Sequence, residues 1–171
     1  MEALNDFVDF EDGERHGWEN DIGSQDGTLK TESTPAGGNT FWSGRLKAKY
    51  PQEEFEISAS LAKMFFFSGE GQQDGTFGVS FEYRVHRPEQ GEAIRIYLMV
   101  SGEVPLGFAR TLIDERTPVD KWLQRPLATL FYARNRMTPV LIGAHGSLEN
   151  HASSRKIDID NIRVVQLPDK K

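Results

Sequence analysis

The chain has 171 residues, with 26 acidic against 20 basic side chains for a formal charge of −6, and no cysteine. That length suits one domain with a substantial core and is too short for two ordinary ones. Scattered Lys and Arg make no stripe for a phosphate backbone, which argues against nucleic acid as a partner. The lack of Cys excludes disulfides, thiolate nucleophiles and Cys-type zinc sites.

The opening "MEALNDFVDF" has no basic run leading into an apolar one, and no segment is apolar over the length a bilayer needs. Neither a signal peptide nor membrane insertion is therefore expected. Next comes "FVDFEDGERHGW", which crowds Asp9, Glu11 and Asp12 around one apolar anchor, Phe10, and ends on Trp18. Strands are then expected in "TLKTES" and "SGRLKAKY", with "TPAGGNT" as the loop between them. "EFEISASLAK" alternates through Phe55, Ile57, Ala59 and Leu61, and the "MFFFSG" run after it supplies at least two core rings from Phe65, Phe66 and Phe67.

The strongest period-two signal is "TFGVSFEYRVHR". There Phe77, Val79, Phe81, Tyr83 and Val85 share one face, and Thr76, Ser80, Glu82, Arg84 and His86 share the other. "AIRIYLMV" follows with Ile94, Ile96, Leu98 and Val100 against Arg95, Tyr97 and Met99. Further strands are expected in "FARTLID", "KWLQRPLATLFYA", "TPVLIGAHG" and "KIDIDNIRVVQL". In the last of these the apolar phase is odd at Ile157 and Ile159 but even at Ile162 and Val164, which predicts a β-bulge at Asp160 and Asn161. Nothing holds helical spacing for three turns. The chain is expected to be all-β, a two-sheet antiparallel β-sandwich forming a single domain over 1–171 with its core at about 7–167.

Taken in this order, "FEDG" with "GW", "SGRLKAKY", "VSFEYRV", "DKWLQRPLATLF" and "IDIDNIRVV" resemble the jelly-roll carbohydrate-binding modules of the galactose-binding-domain-like superfamily. The resemblance implies first and last strands side by side, and a structural calcium ion held by Glu11, Asp12 and Asp160. Calcium takes six to eight hard oxygens, and a bulged strand end turns carboxylate and carbonyl oxygens aside to supply them. The alternative is that Glu11 and Asp12 form turns while Asp160 and Asn161 cap the bulge.

Sugar recognition needs flat rings and planar polar groups. Glu82, Arg84, Arg95 and Tyr97 lie on the polar phase of the two longest strands and are expected to share a face. Trp42 is the tryptophan least explained by a core pattern, whereas Trp18 and Trp122 are assigned to the core or its rim. The resulting expectation is a non-catalytic, lectin-like module with a glycan or polysaccharide partner, placed outside the cell or on a cell or virion surface. The alternative is a structural subunit of a virion, tail or appendage that uses the sandwich against protein neighbours.

Catalysis is the lesser reading. A glycosidase needs two facing carboxylates, and only Glu82 lies securely on an exposed strand phase. His16, His86, His145 and His151 stand singly, with no Ser or Cys in a nucleophile turn, and the Arg, Gln, His and Tyr grouping of a polysaccharide lyase is not visible.

Overall fold

A computed structural model describes residues 3–21, 24, 26–47, 58–67, 75–88, 96–102, 108–132, 136–146 and 154–168. Among them every regular element is a strand: β1 (Asn5–Val8), β2 (Glu19–Asn20), β3 (Thr28–Thr34), β4 (Gly37–Lys47), β5 (Ser58–Phe67), β6 (Gly75–Val85), β7 (Ile96–Ser101), β8 (Phe108–Ile113), β9 (Trp122–Tyr132), β10 (Arg136–Gly146) and β11 (Ser154–Leu167). A six-stranded sheet runs β3-β4-β11-β6-β9, with β1 also on β11; a five-stranded sheet runs β2-β5-β10-β7-β8. All described pairings are antiparallel. The molecule is a two-sheet antiparallel β-sandwich.

Alternation explains the stacking. One side of each long strand is apolar, and burying those sides against each other removes them from water at roughly 25 cal/mol per Å². Phe77, Val79, Phe81 and Val85 of β6 meet Ile96, Leu98 and Val100 of β7 and Val140, Ile142 and Ala144 of β10 in one core. At one end the rings stack: Phe67 lies 4.5 Å from Phe77 and 4.8 Å from Tyr132, and Phe65 packs on Phe67 at 5.9 Å. Phe65 and Phe67 are thus core rings while Phe66 faces out, 52% exposed. Trp18 is buried with them, 5.8 Å from Phe65.

The central strand of the larger sheet is β11. On one side it pairs with β6 along its length; on the other it pairs with β4 through Ser154–Ile159 and then with β1 through Ile162–Val165. The expected bulge lies at that handover. The register against β6 shifts between Asp160 and Arg163, and Asn161 takes a left-handed φ of 48°. The first and last strands are neighbours, as the resemblance implies.

Two expectations fail here. The "GGNT" part of the expected loop belongs to β4, pairing from Gly37 to Asn39 against Thr34, Ser33 and Glu32. Trp42 is a core residue with 0% exposure, so its ring is closed to any ligand. Its slot is made by two glycines, since a Cβ on Gly27 would lie 2.4 Å from the indole and one on Gly44 2.3 Å. The indole N–H donates to Asn20 Oδ1 at 2.9 Å, and Arg15 holds the same oxygen at 2.7 Å. Trp42 therefore ties the 15–27 segment to the sheet. Gly44→Ala should lower stability by about 1–3 kcal/mol through overpacking, read as a lower urea midpoint at unchanged slope.

Candidate functional site

The handover from β4 to β1 opens a place beside β11, and polar side chains fill it. After β1 the chain turns tightly, with Phe10 buried at a φ of 58° and the Gly13 N–H donating to the Phe10 carbonyl at 2.8 Å. That turn sends Glu11 back to the sheet, where its Oε1 accepts from the Thr40 N–H at 2.8 Å. Asn39 sits between Glu11 and Asp160. With its nitrogen inward it donates to Glu11 Oε1 at 3.2 Å and to Asp160 Oδ2 at 3.3 Å; with its oxygen inward, three oxygens meet with no proton between them. Glu82, the cross-strand partner of Asp160, accepts from the Asn161 amide at 2.6 Å.

Asp160 is only 1% exposed. Burial pushes its carboxyl up to about 7, against the pull of the Asn161 N–H and the Asn39 amide, while the charges of Glu82 and Glu11 push the same way. A carboxylate kept at such cost favours a proton or a cation. Glu11, Asn39, Asp160 and Glu82 are the oxygen groups gathered here, whereas among the described residues no three His, Cys, Asp or Glu side chains stand in a metal-binding group. Asp12 is not part of the gathering. It is exposed, with its oxygens spent on the Glu14 N–H at 2.9 Å and on His16 at 2.6 Å, contacts that hold its carboxyl below the usual range.

Along the same outer face lies a second constellation, centred on Arg84. Its guanidinium is sandwiched 4.8 Å from the Phe41 ring and 4.5 Å from the Trp122 ring. Nη1 reaches both Glu32 oxygens at 3.0 and 2.9 Å, Nε reaches the buried Asp158 at 2.9 Å, and the Trp122 indole donates to Glu32 at 3.3 Å. Residues from β3, β4, β6, β9 and β11 are thereby joined across the whole sheet. Arg84 is consumed by this network, not offered to a ligand. Trp122 belongs to it on the outer face, not in the core, and neither Phe41 nor Glu32 stood out in the sequence.

Tyr97 lies elsewhere. Because β7 belongs to the five-stranded sheet and β6 to the six-stranded one, Tyr97 faces outward on the opposite side of the molecule from Glu82 and Arg84. It stands beside His145 and Leu112, with the Arg110 guanidinium 5.9 Å over its ring. Further along this face come Met64 at 56%, Phe66 at 52% and Met137 at 60% exposure. Arg95 lies outside the described residues. The expected common face of Glu82, Arg84 and Tyr97 does not exist, because alternation reports which side of a strand is buried but not which sheet the strand joins.

No family model and no curated protein matches the chain. Among solved structures, the chain is similar over 94% of its length to a structure described as the basis of promiscuous specificity in the carbohydrate-binding modules of the β-sandwich superfamily, with 14% identity and a TM-score of 0.50; it spans 61% of that chain. The CBM22-1 xylan-binding domain of Paenibacillus barcinonensis Xyn10C aligns over 99% of this chain and 97% of its own at 12% identity and a TM-score of 0.47. The Cry4Aa toxin of Bacillus thuringiensis aligns over 85% of this chain and 22% of its own at 10% identity and a TM-score of 0.45. The first likeness carries the fold alone, a β-sandwich.

Arg84→Met keeps length and removes the charge, leaving Asp158, 2% exposed, without its guanidinium partner. His86 still bonds Asp158, so the cost should be that of one charged hydrogen bond, about 1.5–3 kcal/mol, measured by denaturant unfolding; an exposed pair would cost under about 1 kcal/mol.

Proposed function

We propose that the protein is a non-catalytic carbohydrate-binding module whose glycan lies along the outer face of the five-stranded sheet. The observation that carries this reading is the placement of Tyr97 and Phe66 on that face, with Arg110 beside the tyrosine. Rings of this kind stack on the apolar side of a pyranose, and a guanidinium bonds its hydroxyls. On the other outer face the polar groups are already bonded to one another. Tyr97 pairs across to His145 and Phe66 to Met137, which sets the two rings at opposite ends of a platform about 27 Å long on β10. That length suits an extended polysaccharide better than a single terminal sugar. The β-sandwich likeness agrees, since its 0.50-score partner is a carbohydrate-binding module.

The same proposal gives the β4–β1 handover a structural calcium ion, held by Glu11, Asp160 and the Asn39 oxygen with Glu82 alongside. Calcium would supply positive charge to the oxygens around the buried Asp160 and fix the bulge. A second reading, a subunit packed against protein neighbours, is favoured by the exposed Met64, Phe66 and Met137 on the five-stranded face.

Affinity gels carrying a panel of plant and bacterial polysaccharides should retard the protein, and Tyr97→Ala should weaken that binding roughly tenfold, about 1.4 kcal/mol. Absence of any retardation, together with concentration-dependent assembly in sedimentation, would favour the second reading.

Calcium added to chelator-treated protein should raise its melting temperature by several degrees, and Asp160→Asn should abolish that rise. In chelator the sign reverses. With its folded pKa raised to about 7, Asp160 costs stability as pH climbs from about 4 towards 7, so Asp160→Asn should be the more stable protein at about pH 8.

A further inference from the structure

We propose that His86, held as an imidazolium between Asp158 and Asp120, is a pH-dependent clamp that fastens the β8–β9 connection to the six-stranded sheet. The geometry requires the charged ring. Nδ1 lies 2.8 Å from Asp120 Oδ1 and Nε2 lies 2.5 Å from Asp158 Oδ2, so both ring nitrogens face carboxylate oxygens. Ionised carboxylates only accept, and a neutral imidazole has one N–H to give; the imidazolium alone satisfies both.

The two carboxylates come from different places. Asp158 is buried on β11 and also accepts from Arg84, whereas Asp120 is exposed and ends the 114–121 connection that leads from the five-stranded sheet into β9. Asp120 takes a left-handed φ of 55°, and its N–H donates to the Val85 carbonyl at 2.9 Å. Within the connection, the Thr117 N–H donates to Asp114 and the Arg116 N–H to the Asp114 carboxylate. Those bonds shape the turn but do not tie it to the sheet. The tie runs through Asp120, by backbone to Val85 and by side chain to His86.

Four charged groups surround the ring. Asp158 and Asp120 favour its proton, Arg84 on β6 opposes it, and Arg155 on β11 donates from Nε to the His86 carbonyl. The bond to Asp158 outweighs burial and the Arg84 charge, so the ring's pKa stands above its ordinary value. A histidine raised in this way contributes its full stabilisation below the unfolded value of about 6.5 and loses it as pH rises through the folded value. The clamp is closed below the ring's ordinary value of about 6.5 and opens as pH rises through the folded value. Because the connection leaves β8, the strand bearing Arg110 and Leu112 beside Tyr97, its release loosens one border of the five-stranded face.

The test uses the wild-type chain with labelled histidine and amide hydrogen exchange. The His86 ring should titrate above about 6.5 with both nitrogens protonated at about pH 6, and the protection factor of the Asp120 amide should fall about tenfold between about pH 6 and about pH 9. His86→Gln should show the low protection at both ends of that range and a flatter dependence of melting temperature on pH. A His86 ring titrating at or below 6.5, or an Asp120 protection factor that does not change with pH in the wild type, would overturn the proposal whether or not the variant folds. These readouts do not depend on sugar binding.

Discussion

The rest of the structure depends on one strand having two successive neighbours. A central β-strand must satisfy its backbone groups on both sides, and β11 does so on one side with β4 and then with β1. The two neighbours run in the same direction, one after the other along the same side of β11, and the space between them is taken by a bulge, a left-handed Asn161 and a set of polar side chains. Glu11, from just past the first strand, and Asp160, from the last, are neighbours for that reason. Their closeness follows from the topology of the sandwich, and the raised pKa of Asp160 follows first from its own burial, with the charges of Glu82 and Glu11 adding to it.

A second consequence is a division between the two outer faces. On the six-stranded sheet, Glu32, Arg84, Asp158 and His86 are joined in one network beside Phe41 and Trp122, while Phe7, Leu127 and Phe131 of the same sheet stand exposed. Networks of this sort specify one arrangement more than they stabilise it, because charges leave water to form them. On the five-stranded sheet the outward side chains include Tyr97, Leu112, Met64, Phe66 and Met137, with Arg110 over the tyrosine ring. The proposed recognition surface is on the second face, and the polar network is on the first. The connection held by His86 is one of those that pass between the two sheets, joining β8 of one to β9 of the other.

Much of the fold was legible in the residues. Period-two alternation located the long strands, and the change of phase between Ile159 and Ile162 located the bulge before any coordinates. The neighbouring of the terminal strands was legible through the resemblance carried by "FEDG" and "IDIDNIRVV". Other features were hidden for physical reasons. The slot for Trp42 is cut by Gly27 and Gly44, and Gly27 lies across a strand pairing that the sequence does not display. Asn39 was concealed in a glycine-rich stretch that reads as a turn yet pairs as a strand. Trp122 reads as a ring of the core or its rim because it opens a strand, and only the assembled sheet shows Arg84 against it. Alternation separates inside from outside for each strand alone, which is why Tyr97 and Glu82 were grouped although two sheets lie between them.

The convergence of the chain's two ends on one carboxylate cluster is the claim on which the site rests, and a double-mutant cycle measures it most directly. Glu11→Gln, Asp160→Asn and the combined variant would be unfolded in urea at about pH 8 in the presence of chelator. The account predicts a coupling free energy of about 1 kcal/mol or more, as for residues sharing the Asn39 amide. Additivity within about 0.3 kcal/mol, the behaviour of distant sites, would contradict it.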